Sequence, residues 1–352
     1  MAEGLESTKR YEERLRELAA FQPSLAEVSN CEEICGRRPL AVSHGLLRTL
    51  YGSHVLPGTW PWLVSFQYPT RRGKWVHFCG GSLIGSRWVL SAAHCLQIKR
   101  FMRFYKVVIG VTQLSKPRPD AQLNWIKRVV DHMLYKKDGL LQYDITLVEL
   151  TEPVQCSDYV QPACLPDEDA VVSVLTHCYV SGWGAEGEER EESPGILQET
   201  KMSLLPQKSC TNKAWWKSDV PSEILCVGYE GEGEENCQND IGAPVMCREE
   251  SSERYWVVGV ASAGLPTCGP QWRPGVYVST QHYLEWIRAV TKENAFMPGR
   301  PPILTSSQAK DHNMASCASS KAKAHTMGTH FSSWAKDHEM VPPEERTRFV
   351  EA

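Results

Sequence analysis

Apolar and polar positions along the chain fall into short blocks rather than long amphipathic stretches. Runs at Trp62 to Phe66, Trp88 to Ser91, Lys106 to Ile109, Ile145 to Leu150, Tyr179 to Gly182 and Tyr255 to Val260 are mostly bounded by Gly, Pro, Asn, Asp or Ser. Many short strands separated by turn residues predict an all-β barrel or sandwich. The pattern changes once, late in the chain. Tyr283, Trp286, Ile287 and Val290 recur at i, i+3, i+4 and i+7, which predicts a helix with one face packed on the β domain and Ser279-Thr280 as its cap.

Two segments of different character flank this region. Residues 1 to 58 are polar with scattered Arg and Gly, and Met1 to Phe21 is charged and helical in character. That stretch lacks the apolar run of roughly 7–15 residues that marks a signal peptide. From Asn294 the chain is rich in Ser, Lys and His around Pro298, Pro301 and Pro302, a composition expected of a disordered tail. The tail carries an imperfect duplication, Ser306 to Met314 and Ser332 to Met340, identical at seven of nine positions. Two copies cannot build a solenoid, so it reads as a duplicated linker element. No stretch is long and apolar enough to predict a membrane span.

Composition narrows the class. With 352 residues, 42% hydrophobic and 23% charged positions and a net charge of −4, the chain is neither collagenous, nor wholly disordered, nor a strongly basic nucleic-acid binder. Its 13 cysteines run from Cys31 to Cys317 without a CxxC pair or a Cys/His cluster at zinc spacing. This predicts disulfides in an oxidising compartment rather than a metal site. The odd count leaves one thiol, assigned to Cys317 in the tail.

Several separate motifs occur in a fixed order. Cys79-Gly80-Gly81-Ser82-Leu83-Ile84 precedes Trp88-Val89-Leu90-Ser91-Ala92-Ala93-His94-Cys95, then come Asp144-Ile145-Thr146-Leu147, Cys178-Tyr179-Val180-Ser181-Gly182-Trp183-Gly184 and Pro274-Gly275-Val276-Tyr277. Over about 230 residues this order resembles the trypsin and chymotrypsin family of serine proteases. The resemblance implies an all-β fold of two six-stranded antiparallel β-barrels with a C-terminal helix. It divides the chain into a propeptide or light-chain-like segment 1–48, a peptidase domain 49–293 and a tail 294–352. Within the family, CEEICG around Cys31 and Cys35 and QCSDYVQPACLP around Cys156 and Cys164 resemble the acrosin branch. The pairs then implied are Cys31–Cys156, Cys35–Cys164, Cys79–Cys95, Cys178–Cys247, Cys210–Cys226 and Cys237–Cys268.

The family's chemistry needs a serine hydroxyl, a histidine base, a buried aspartate that fixes the histidine tautomer, and backbone N–H donors for the oxyanion. By resemblance His94 is the base, Asp144 its orienting carboxylate and Ser262 the serine that hydrogen-bonds the aspartate. Where the family reads Gly-Asp-Ser-Gly-Gly-Pro, this chain reads Asn239-Asp240-Ile241-Gly242-Ala243-Pro244, with the register fixed by Cys237 and Cys247. Ile241 therefore takes the nucleophile position without a proton to give or a lone pair to attack with. In a related triad, loss of the serine lowers turnover by about 10⁶-fold. Asn239 stands where a glycine donates an oxyanion N–H, a position that a side chain restricts.

The activation and specificity positions depart as well. Arg48-Thr49-Leu50-Tyr51-Gly52 aligns with Arg-Ile-Val-Gly-Gly, so cleavage after Arg48 would release Thr49, and Asp240 is the carboxylate that pairs with the released ammonium in the family. Glu235 replaces the aspartate that selects Arg and Lys, Ala263 replaces a tryptophan, and Gly264 and Gly275 keep the pocket walls.

Charge suggests a binding surface. Glu186, Glu188, Glu189, Glu191, Glu192, Glu230, Glu232, Glu234 and Glu235 form two acidic runs, while Arg71, Arg72, Lys74, Lys99, Arg100, Arg103 and Lys106 flank His94 along the chain. Such runs usually face solvent; the sharper reading is a dipolar face whose basic half meets sulfated glycans or proteins. The expectation is a secreted or acrosomal, catalytically inactive protease homologue, a monomer with a disulfide-tethered N-terminal segment, taking part in sperm and egg-coat recognition without nucleic acid, metal or cofactor. The competing readings are a zymogen whose cleaved form carries out weak Arg/Lys-directed proteolysis, and a decaying duplicate without function.

Overall fold

A computed structural model describes residues 35–41, 55–97, 99–136, 142–184, 195–210, 221, 223–229, 240–250, 252–263 and 274–292. The charged N-terminal stretch, the duplicated tail element and Cys317 lie outside these residues. Strands β1 (Leu63–Pro69), β2 (Trp75–Leu83), β3 (Trp88–Ser91), β4 (Lys106–Ile109), β5 (Gln122–Asp131) and β6 (Thr146–Leu150) close one antiparallel barrel in the order β1-β2-β3-β6-β5-β4. Strands β7 (Thr176–Gly182), β8 (Gln198–Leu205), β9 (Ile224–Tyr229), β10 (Pro244–Arg248), β11 (Tyr255–Ala263) and β12 (Gly275–Ser279) close a second in the order β10-β11-β12-β9-β8-β7. Closure removes free strand edges, so backbone groups of the wall strands are paired within each barrel. The expected pair of six-stranded antiparallel barrels is the observed fold.

The apolar runs supply the barrel walls. Val89 and Leu90 of β3 and Leu147 and Val148 of β6 are fully buried, and the register sets Val89 against Val148 and Leu90 against Leu147. The two barrels meet through large side chains: Trp62, fully buried, donates its indole N–H to Met246 Sδ at 3.0 Å.

A short N-terminal piece is fastened to the second barrel. Cys35 bridges Cys164, the Gly36 N–H donates to Pro162 O, and Gly36 O accepts from the Tyr255 N–H, both at 2.9 Å. Gly36 sits at φ +65°, and a Cβ there would lie 2.3 Å from Tyr255 O, so only glycine lets the chain pass this close. Arg38 lies over the rings of Trp60 and Tyr255, 4.6 and 4.2 Å from their centroids.

Four of the implied disulfides are present, Cys35–Cys164, Cys79–Cys95, Cys178–Cys247 and Cys210–Cys226. Cys156 is also disulfide-bonded; Cys31, Cys237 and Cys268 lie outside the described residues. These bridges are consistent with an oxidising, extracellular setting. Among the described residues no helix is long and apolar enough to cross a membrane.

Helix α1 (Leu284–Thr291) ends the described chain and buries Leu284, Ile287 and Thr291. The expected cap is corrected. Tyr283 is the N-cap and no side chain caps the helix, because the Thr280 hydroxyl is buried and donates instead to Val257 O at 2.7 Å. Ser279 thus closes β12, and Thr280 begins the turn after it, pinned to β11. At the other end Lys292 adopts φ +55° and its N–H donates to Arg288 O, a left-handed helix stop.

Candidate active site

His94 belongs to a 3₁₀ turn, Ala93–Leu96, that leaves β3. Asp144 sits just before β6, Ser262 lies in β11, and Ile241 occupies the turn that leads into β10. Two barrels therefore converge on one cluster. The His94 backbone N–H donates to Asp144 Oδ1 at 2.9 Å, and His94 Nδ1 lies 2.6 Å from Asp144 Oδ2. The Ser262 hydroxyl donates to the same Oδ2 at 2.5 Å. Asp144 is buried, whereas about a third of the His94 side chain, 34%, is exposed. With Nδ1–H committed to the carboxylate, Nε2 is the ring nitrogen left as a base.

Burial by itself would raise the Asp144 carboxyl. The hydrogen bond and positive charge of His94, the Ser262 hydroxyl and the His94 N–H outweigh it and hold the carboxyl below the ordinary aspartate value. A depressed folded-state value means stability that is present above the unfolded pKa and lost as pH falls through the folded one. The stability difference between the parent chain and Asp144→Asn should therefore shrink as pH drops below about 4. Urea titrations at a series of pH values give this difference directly; one that stays constant down to pH 2 would contradict the assignment.

An aromatic stack holds Asp144 in place. Tyr143 adopts φ +59°, uncommon for a residue with a side chain. Its ring stacks on His132 at 5.0 Å and 6°, and His132 meets Tyr283 and Trp286 edge-on at 5.1 and 5.3 Å. The apolar face of α1 is thereby coupled to the turn carrying the carboxylate. Burial, with help from His282, lowers the His132 pKa and favours the neutral ring.

The Asp240 to Ala243 turn is fixed from both sides. Ile241 O accepts from the Gly80 N–H at 2.8 Å, and the Gly242 N–H donates to Ala261 O at 2.8 Å. Gly242 has φ +82°, and a Cβ there would come within 2.4 Å of Ser91 Oγ and 2.5 Å of Gly80 O. Cys95, next to His94 in sequence, places Sγ 3.7 Å from Ile241 O. The Ile241 side chain is partly buried against the core.

Asp240 has a partner that the sequence did not suggest. Its Oδ2 lies 2.9 Å from His77 Nε2, a close approach in which the ring N–H is not well aimed, since His77 Nε2 makes no directed hydrogen bond. The Trp183 and Gly184 N–H groups donate to Oδ2 and Oδ1, each at 2.9 Å. Behind it, His77 Nδ1 is 2.8 Å from Ser65 Oγ, which accepts from Gln67 Nε2 at 3.0 Å. His77 is only 2% exposed. The carboxylate expected to receive a released Thr49 ammonium is thus engaged by His77 and two backbone donors. A weak signal was available: Ser65, Gln67 and His77 are polar residues within otherwise apolar strands.

Of the remaining expected site residues, Gly275 opens β12 opposite Val227, and the Ala263 backbone pairs with Val276. Asn239, Glu235, Gly264, Arg48 and Thr49 lie outside the described residues, so the structure assembles the base, the carboxylate and the turn but not the pocket floor.

Comparison with known proteins places these features. The family model described as Trypsin matches residues 50–287. The atrial natriuretic peptide-converting enzyme of Homo sapiens is 33% identical over 254 residues, covering 72% of this chain and 23% of its own length. The protein of the same name from Mus musculus is 32% identical over 278 residues, covering 78% and 24%. The chain spans about a quarter of the length of these curated relatives. Neither is an acrosin, so the expected likeness to the acrosin branch finds no support in these relatives: paired cysteines at both ends of the light-chain tether are too few residues to separate one branch from another.

Proposed function

The chain belongs to the trypsin family of serine proteases, and from that premise we propose that it is a catalytically silent member that works as an extracellular binding protein. The observation that carries this reading is Ile241 in the glycine-pinned turn against Cys95, the residue that follows His94. A His–Asp pair generates no acyl-enzyme without a hydroxyl or thiol to deprotonate. The fold persists as a scaffold, since a fold does not dictate activity. The relatives' name describes conversion of a peptide, which favours a polypeptide as the ligand class here.

The intact Asp144, His94 and Ser262 contacts favour a second reading, weak Arg/Lys-directed hydrolysis by the residual site. Turnover of an arginine ester by the full chain separates the two, and a fluorophosphonate probe reports whether any serine acts as nucleophile. The full chain, before and after mild trypsin treatment, is expected to remain unlabelled, and Ile241→Ser is expected to stay far below an ordinary trypsin-like enzyme on an arginine ester because Asn239 and Thr49-Leu50 are unchanged. Ester turnover or labelling by the parent chain overturns the silent reading; brisk ester cleavage by Ile241→Ser overturns the roles given to Asn239 and Thr49.

A further inference from the structure

The outer face of the first barrel carries an apolar platform that the site around His94 does not use. Trp75 opens β2 and Trp125 lies in β5; their rings meet edge-on at 6.1 Å and each residue is 38% exposed. Leu123, two positions before Trp125 and so on the same face of the strand, is 56% exposed. Lys106 pairs with Trp125 across β4 and β5, and its Nζ stands 4.5 Å from the Trp75 ring centroid. The turn beside Trp75 is ordered: the Thr70 N–H donates to Lys74 O at 2.7 Å, the Gly73 N–H to Thr70 O at 3.0 Å, and the Lys74 N–H to Thr70 Oγ1 at 3.1 Å. It presents Arg71 and Lys74 to solvent.

Exposed aromatic and aliphatic side chains beside cations are costly to leave in water unless something covers them. The charges specify what. Arg71, Lys74 and Lys106 pair with no carboxylate among the described residues, while Glu149, a carboxylate on the same barrel, is already held by Lys127 and Arg128. A chain with net charge −4 has thus gathered positive charge around an exposed apolar spot of its first barrel. A polyanion without apolar groups would satisfy the cations and leave Trp75, Trp125 and Leu123 wet.

We propose that this face docks an extended acidic segment of a partner protein, with an aromatic or aliphatic side chain seated on Trp75, Trp125 and Leu123 and flanking carboxylates paired with Arg71, Lys74 and Lys106. The apolar anchor sets lifetime and the cations set encounter rate and register. The proposal goes beyond a generic binding scaffold and holds whether or not the His94 site turns over substrate.

The test is fluorescence anisotropy with the full-length protein and a labelled synthetic peptide in which Glu alternates with Phe and Leu, beside a second peptide with Ser in place of Phe and Leu, and a heparin oligosaccharide. The acidic apolar peptide should bind saturably, and the serine version at least about tenfold more weakly. Leu123→Ser should weaken binding about fivefold or more with little change in the melting curve, since Leu123 is largely exposed. Lys74→Gln combined with Arg71→Gln should weaken it about tenfold and flatten its salt dependence. Absence of saturable binding, equal affinity for the two peptides, or tight heparin binding lost only with the cations while the peptide fails to bind would each overturn the proposal, the last in favour of a sulfated glycan.

Discussion

Replacing His77 by alanine is expected to destabilise the protein by about 3 kcal/mol, because it opens a cavity in the core and takes a polar neighbour from a buried carboxylate. The ring is 2% exposed, lies 5.3 Å from the Trp183 ring and stands 2.9 Å from Asp240 Oδ2. Its loss strips Asp240 of its only side-chain partner among the described residues and leaves the Trp183 and Gly184 N–H groups as donors. Ser65 Oγ, which still accepts from Gln67, loses its contact with Nδ1. A double-mutant cycle with Asp240→Asn isolates the pair. In the asparagine background the His77→Ala cost should fall by more than about 1 kcal/mol, since residues in direct contact couple and distant ones add. Urea midpoints measured at neutral pH give all four corners of the cycle; additive costs would mean that His77 serves as packing alone.

The His77–Asp240 contact was not legible in the sequence, unlike most of the strands around it. The strands at β3, β4, β6, β7 and β11 were legible because each is a compact apolar run ended by turn residues. Strand β5 was not, since its polarity is inverted: Leu123 and Trp125 face out while Asn124 is buried. The inversion has a local cause. Asn124 Nδ2 donates to Glu152 O at 2.7 Å, and its Oδ1 accepts from the Trp125 N–H at 2.9 Å and from Thr151 Oγ1 at 2.8 Å, so the amide ties β5 to the turn after β6. Motif order located His94, Asp144 and Ser262, which the structure brings within hydrogen-bonding distance. It could not locate His77, whose role depends on a register that sets Gln67 opposite it across β1 and β2 and on a carboxylate more than 160 residues away. Nor could periodicity anticipate that Thr280 would bond β11 rather than cap α1, because the competing acceptor, Val257 O, is remote in sequence.

Removing the Cys35–Cys164 bridge by a double alanine substitution is the other large expected effect, and its size reports on Cys156. The two cysteines are 129 residues apart; if this bridge alone closed that loop, the chain-entropy cost of losing it would be about 5 kcal/mol. Cys156 is also disulfide-bonded, and pairing it with Cys31, as the cysteine pattern implies, would already hold the two chain segments together. The second bridge would then close a loop of only about a dozen residues, and its loss would cost about 3 kcal/mol. The native contacts of the tether do not depend on the sulfurs: Gly36 keeps its bonds to Pro162 and Tyr255, and Arg38 keeps its place over Trp60 and Tyr255. The double variant should therefore fold with the same near-ultraviolet aromatic spectrum and melt roughly 6–12 °C lower, at 2–4 °C per kcal/mol for a domain of this size. A loss close to 5 kcal/mol would assign Cys156 a partner other than Cys31. A loss below 1 kcal/mol would mean that contacts made by Gly36 and Arg38 persist in the unfolded chain and restrict it as the bridge does.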